Sequence, residues 1–299
     1  MKATKHGKFD REFDAKYCYD GGDLGAVCAG GRTVFKLWSP EADRVELSLY
    51  PPCGGRPCRK LELERGERGV WSLELEEDLH GTYYDYAVES GGVCRRTADP
   101  WAVACGRNGV LSMAVDLSRT NPEGFDRDAP PPRPPEDVIY ELHVKDFSFD
   151  PDSGVPAALR GKYGAFSWRD GQGNLPRCMA HLCSLGVTHV QLMPIYDFGS
   201  VDEGGGEDQF NWGYDPMNYN VPEGSYSTDP VGGAVRIREC KEMIQALHRN
   251  GMRVVMDVVY NHTFSADSWL ERTAPGYFYR RNADGTLSNG SACGNDIAA

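Results

Sequence analysis

Tyr260, Asn261, His262 and Thr263 close a run, MRVVMDVVYNHT (252–263), that is apolar as a buried strand should be, with Asp257 set inside it. A strand that ends on side-chain donors and acceptors can hold something polar by directed hydrogen bonds. A carboxylate in a buried run is costly unless it is paired, so Asp257 calls for a partner. Two other apolar segments finish in the same way: VIYELHV (138–144) leads into His143 and Lys145, and VTHVQLMPI (187–195) into Tyr196 and Asp197. Gathered at one edge, three such ends would form a site; taken singly, each reads equally as an ordinary solvated loop start. His262 outside any motif reads more readily as a core or capping histidine, and Asn261 equally as a plain turn residue.

The elements that would carry these residues follow from periodicity. NLPRCMAHLCSLG places Leu175, Met179, Leu182 and Leu185 at helical spacing, with Asn174 as N-cap and Gly186 as stop. AVRIRECKEMIQALHRNG repeats the pattern with Ile237, Cys240, Ile244 and Leu247 on one face and Gly251 as stop, leading into MRVVMDVV. Three strand and helix units in succession imply a parallel sheet. No G-x-G-x-x-G turn follows any of these strands, and polar strand ends suit the C-terminal face of a barrel.

Residues 33–117 differ, offering TVFKLW, RVELSLY, VWSLEL, YYDYAVE and SMAVDL as short period-two strands separated by turns such as SPEAD and PPCGGRP. This half reads as a β-sandwich. Between the halves DAPPPRPPED (128–137) contains five prolines, a stiff extended segment that marks a domain boundary.

Composition excludes several functions. The 299 residues carry 44 acidic and 32 basic side chains, a net charge of −12 that repels a phosphate backbone, so no nucleic-acid partner is expected. The charged amino terminus has no signal-like apolar stretch and nothing downstream approaches a membrane span, which predicts a cytoplasmic protein with no membrane partner. Ten cysteines include no CxxC pair and read as free thiols. Cys178, His181 and Cys183 lie at i, i+3 and i+5 of one helix, which converge poorly on a metal, so core packing is the better reading.

DVVYNHT (257–263) resembles the third-strand motif of the α-amylase superfamily, and FNWGYDP (210–216) looks like the motif that marks type I pullulanases, the α-1,6 debranching enzymes. SNGSACGND (288–296) resembles the stretch that follows their third strand, and VFKLWSPEADRVELSLY with TADPWAVACGRNGVLSMAVDL is similar to their starch-binding-type module. Phe210 departs from the tyrosine more usual at its place. The resemblance implies an immunoglobulin-like β-sandwich and then the first part of a (β/α)8 barrel, divided as a polar segment 1–22, a sandwich 23–120, a linker 121–137 and an incomplete barrel 138–299. It implies retaining hydrolysis of α-1,6 glucosidic linkages in pullulan, glycogen or limit dextrins. His262 would then donate to a sugar hydroxyl and Tyr214 would stack on the ring. Asp257 would pair with an arginine on the next strand, and Asn261 would organise the loop. No cofactor is required, although the asparagine equivalent to Asn261 can bind calcium in α-amylases. Retaining chemistry needs two carboxylates about 5–5.5 Å apart. The resemblance places the nucleophile, the acid/base and a further aspartate on strands beyond residue 299, which makes the chain a fragment inactive by itself. Isoamylase or glycogen branching enzyme fragments, and a non-catalytic glucan-binding protein, are the alternative readings. In the last, Trp38, Trp71 and Trp101 are candidate sugar-stacking groups, against the alternative that they fill the sandwich core.

Overall fold

The computed structural model describes residues 9–51 and 55–298, so Cys53 and part of the PPCGGRP turn lie outside the described residues. Two compact units are formed: residues 1–116, 215–221 and 259–299 make the first, and residues 117–214 and 222–258 the second.

In the first unit a short helix α1 (Arg11–Tyr17) precedes nine strands: β1 (Gly25–Ala29), β2 (Arg32–Trp38), β3 (Arg44–Tyr50), β4 (Arg59–Glu62), β5 (Glu64–Arg65), β6 (Val70–Leu75), β7 (Tyr83–Ser90), β8 (Val93–Thr97) and β9 (Ser112–Met113). One antiparallel sheet has the order β1-β2-β6-β5 and the other β4-β3-β7-β8, with β9 also on β7. Alternation turns Tyr84, Tyr86 and Val88 of β7 inward, where they meet Phe35, Leu37 and Leu47. SMAVDL, expected as a full strand, pairs with β7 only at its first two residues, while Val115 makes an isolated parallel bridge to Val27. Trp38 and Trp71 are buried, their indole N–H groups donating to the carbonyls of Tyr17 and Ser39 at 2.9 Å, so neither offers a face to sugar. Trp101 is half-buried beside the same core. Residues 259–299 complete this unit: the ring of Tyr277 lies 4.9 Å from that of Trp38, and Ser39 Oγ donates to the carbonyl of Thr273 at 2.6 Å.

The second unit is built on a parallel sheet, β10 (Ile139–Leu142), β11 (His189–Leu192) and, after β12 (Tyr196–Phe198) and β13 (Pro216–Pro222), β14 (Arg253–Met256), in the order β10-β11-β14. Helices α2 (Val144–Phe149), α3 (Gly164–Ser167), α4 (Arg177–Ser184) and α5 (Gly233–Arg249) belong to it, and α6 (Trp269–Thr273) to the first unit. Met179, Leu182, Val190, Leu192, Met243 and Leu247 form its centre. Four expectations need correction. The N-cap of α4 is Pro176, and the Asn174 amide instead donates to Asp170 at 2.9 Å. Leu185, past the end of α4, is exposed rather than on the core face. Cys183 and His181 are also exposed, which leaves only Cys178 against the core. β14 stops at Met256 and pairs only with β11 among the described residues, so Val255, Met256 and Val258 are exposed where a buried run was expected.

The proline-rich segment is held against this unit. Asp128 Oδ2 is 2.7 Å from His248 Nδ1, and Arg253 donates to the carbonyl of Pro131. Nine cysteines among the described residues are free thiols. No helix of the described residues is long and apolar enough to cross a membrane.

Candidate functional site

Parallel register brings three strand ends level, with Leu142 beside Leu192 and Leu192 beside Met256. The next amides continue it: Met193 N donates to Leu142 O and Asp257 N to Leu192 O, each at 3.0 Å. His143, Met193 and Asp257 therefore share one edge. His143 does not prolong its strand. It caps α2, accepting from Asp146 N at 3.3 Å, while its Nε2 lies 2.9 Å from Asn211 O and 2.8 Å from Tyr226 Oη. Burial holds the His143 pKa below the usual imidazole value, which suits a neutral ring with these partners. Lys145 donates to the carbonyls of Glu207 and Gln209. Both residues thus fasten the loop that carries FNWGYDP rather than facing a ligand.

That loop delivers Tyr214. Gly213 has φ +88°, and a Cβ there would stand 3.0 Å from Phe198 Cδ1 and from Pro194 O, so only glycine lets the chain pass this closely. Tyr214 Oη then donates to Asp257 Oδ2 at 2.8 Å. Burial first, and then the hydrogen bond to the carboxylate, pushes the Tyr214 hydroxyl up to about 12. This phenol is a partner of Asp257 within the described residues. At 37% exposure Tyr214 keeps part of its ring open.

In the first unit His262 is 8% exposed, and its Nδ1 lies 3.1 Å from Asn261 Oδ1. An asparagine carbonyl only accepts, so Nδ1 carries the proton, and Nε2 is then an acceptor in the neutral ring and a donor in the imidazolium. Asn261 also holds the turn through its main-chain oxygen, which accepts from Ile297 N at 2.9 Å.

Sequence reasoning missed one polar cluster in the second unit. Asp197, Glu203 and Glu223 are buried with carboxylate oxygens within 4.8 Å of one another, a donor set that a divalent cation could use. Arg236 of α5, fully buried, supplies positive charge there instead, 2.8 Å from Glu203 and 3.3 Å from Asp197. Burial first, then the charge of Glu203, pushes Glu223 up to about 7. The sequence shows only Asp197 at a strand end and an arginine next to Ile237 on the apolar face of α5.

Two family models match this chain: carbohydrate-binding module 48, the isoamylase N-terminal domain, over residues 23–102, and the α-amylase catalytic domain over residues 168–282. A pullulanase of Bacillus subtilis is 39% identical over 96% of the chain, and chloroplastic pullulanase 1 of Arabidopsis thaliana 34% identical over 96%. A solved pullulanase of Paenibacillus barengoltzii in complex with maltotriose matches 97% of the chain at 46% identity and a TM-score of 0.91. The chain is similar to pullulanases over nearly its whole length. It spans 39% of the length of the Bacillus relative and 46% of the solved Paenibacillus chain. Tyr214, Asp257, Asn261 and His262 all fall inside the stretch that matches the α-amylase catalytic domain. The sandwich coincides with the carbohydrate-binding module. Only part of the catalytic domain is covered, consistent with an incomplete barrel.

Proposed function

We propose that the enzyme containing this segment hydrolyses α-1,6 linkages of α-glucans, with pullulan, glycogen and limit dextrins as substrates, and that the segment supplies sugar-holding groups while strands beyond it supply the carboxylates. The bond between Tyr214 and Asp257 carries the reading. It joins the tyrosine of FNWGYDP to the aspartate of DVVYNHT, fixing one aromatic face at the edge where three parallel strands end. A ring held in this way covers a pyranose, and His262, in the first unit, hydrogen-bonds a glucan hydroxyl. Two carboxylates and water complete retaining hydrolysis, so the reaction requires no cofactor. Nine free cysteines among the described residues and the net charge of −12 support a cytoplasmic enzyme acting on neutral polymers, without membrane or nucleic acid.

Pullulan, a polymer of maltotriose joined by α-1,6 bonds, tests the reading. The complete enzyme should release maltotriose and the 299-residue chain nothing. Release of panose, which requires α-1,4 cleavage, would overturn the linkage assignment, and maltotriose from the 299-residue chain would overturn the division of labour.

A further inference from the structure

Three successive carbonyls around His262 are each held by a different group of the first unit. Asn261 O accepts from Ile297 N at 2.9 Å, His262 O from Tyr219 Oη at 2.6 Å, and Thr263 O from Asn295 Nδ2 at 2.7 Å. Asn295 is 4% exposed, and the same Nδ2 lies 3.2 Å from Thr263 Oγ1, which also meets the hydroxyl of Tyr279. Among the described residues its buried Oδ1 has no hydrogen-bond partner, and the amide acts through its donors. Such an orphan acceptor is costly, and it persists only where the remaining contacts over-determine the conformation.

The stretch SNGSACGND, which bears Asn295, is itself fixed. Asp296 accepts from Ser288 Oγ at 2.6 Å and from Ser291 N at 2.9 Å, and also from Gly290 N and Ser291 Oγ. Burial alone would raise its pKa, yet these hydrogen bonds hold it well below the usual carboxylate range. Asp296 thus stays charged and the loop closed, with Asn295 and Ile297 on either side of it presented to the turn.

Carbonyls pinned before, at and after a residue leave its φ and ψ little freedom, and with them the direction of Cα–Cβ. We infer that Tyr219 and Asn295 are positioning residues that aim the imidazole of His262 at its sugar hydroxyl, acting only through His262. This rests on the reading that His262 contacts the glucan. Neither residue needs to touch substrate, and both are separated from His262 in sequence, Tyr219 by 43 positions. A small error in aim is expensive in rate, since a misplacement of about 1 Å can cost on the order of a hundredfold.

The test is a double-mutant cycle in the complete enzyme. Tyr219→Phe removes one hydroxyl and keeps the ring, whose centroid lies 5.7 Å from that of Tyr260. It should lower kcat on pullulan about tenfold with KM within about twofold and the melting temperature nearly unchanged. In a His262→Ala background the same change should have almost no effect, because its target is gone. An equal loss in both backgrounds, or none in the parent, overturns the clamp. Near-normal turnover of His262→Ala alone instead overturns the site reading beneath it. In the 299-residue chain, where turnover plays no part, Tyr219→Phe should broaden or split the His262 ring resonances as further orientations become populated. Asn295→Ala should do the same, and unchanged ring resonances in both variants overturn the proposal.

Discussion

At the scale of single residues, His262 and Tyr214 are expected to fail differently. Replacing His262 by alanine in the complete enzyme removes a bond that strengthens as charge develops on the sugar, so kcat should fall about 100- to 1000-fold with little change in binding. Tyr214 separates into two parts. Tyr214→Ala removes the stacking face and should weaken binding and turnover together, whereas Tyr214→Phe keeps the face, loses only the bond to Asp257 and should retain glucan affinity. Titration calorimetry with maltotriose beside steady-state kinetics checks both, and a Tyr214→Phe enzyme that binds as poorly as Tyr214→Ala would show that the ring does not stack. His262, Asn261 and Tyr214 stood out as candidates in the sequence because polar and aromatic types at apolar strand ends and in a glycine loop are conspicuous. The partner of Asp257 did not, because that bond spans 43 positions and exists only once β11 and β14 are in register.

Among the elements, α5 was the most legible, since Ile237, Cys240 and Leu247 fall on its buried face as the spacing requires and Gly251 follows it at φ +83°. What periodicity could not reveal is the charge buried on that face. Arg236→Leu leaves Asp197 and Glu203 buried without their cation and should cost about 3–5 kcal/mol, measured by urea unfolding. A loss within error would mean that the cluster is solvated. Glu223 carries the pH dependence of the same cluster. Its folded pKa is raised from 4.5 to about 7, so its contribution to stability is fully present below about 4.5 and is lost as pH rises through about 7. A carboxyl carbon titration by NMR should place the Glu223 midpoint near 7, and a midpoint near 4.5 would contradict the burial described here.

For the molecule as a whole, sandwich and parallel sheet were both readable, since periods of two and of about 3.6 residues differ along the chain. The path of the chain between compact units was not, because a run of prolines reports local stiffness and not which surface the chain lies against. Residues 259–299 return to the first unit, where Tyr277 and Phe278 approach Trp38, which is 6% exposed. A polypeptide ending at Asp128 lacks that cover. Its tryptophan emission should shift to the red and its stability should fall by about 3 kcal/mol relative to the first unit of the whole chain, a loss comparable to truncating one large core side chain. Unchanged emission and an equal unfolding midpoint would show that the sandwich completes its own core.

The three pinned carbonyls also set an order in time during synthesis. Asn295 follows Thr263 by 32 residues. At about 5–20 residues per second the ribosome delivers it roughly 2–6 s later. Throughout that interval β11 can already pair with β14, while the His262 turn has Tyr219 but neither Asn295 nor Ile297 to close on. The nascent chain therefore acquires its sheet before its histidine has a fixed direction, and a translational pause between codons 263 and 295 would lengthen that period.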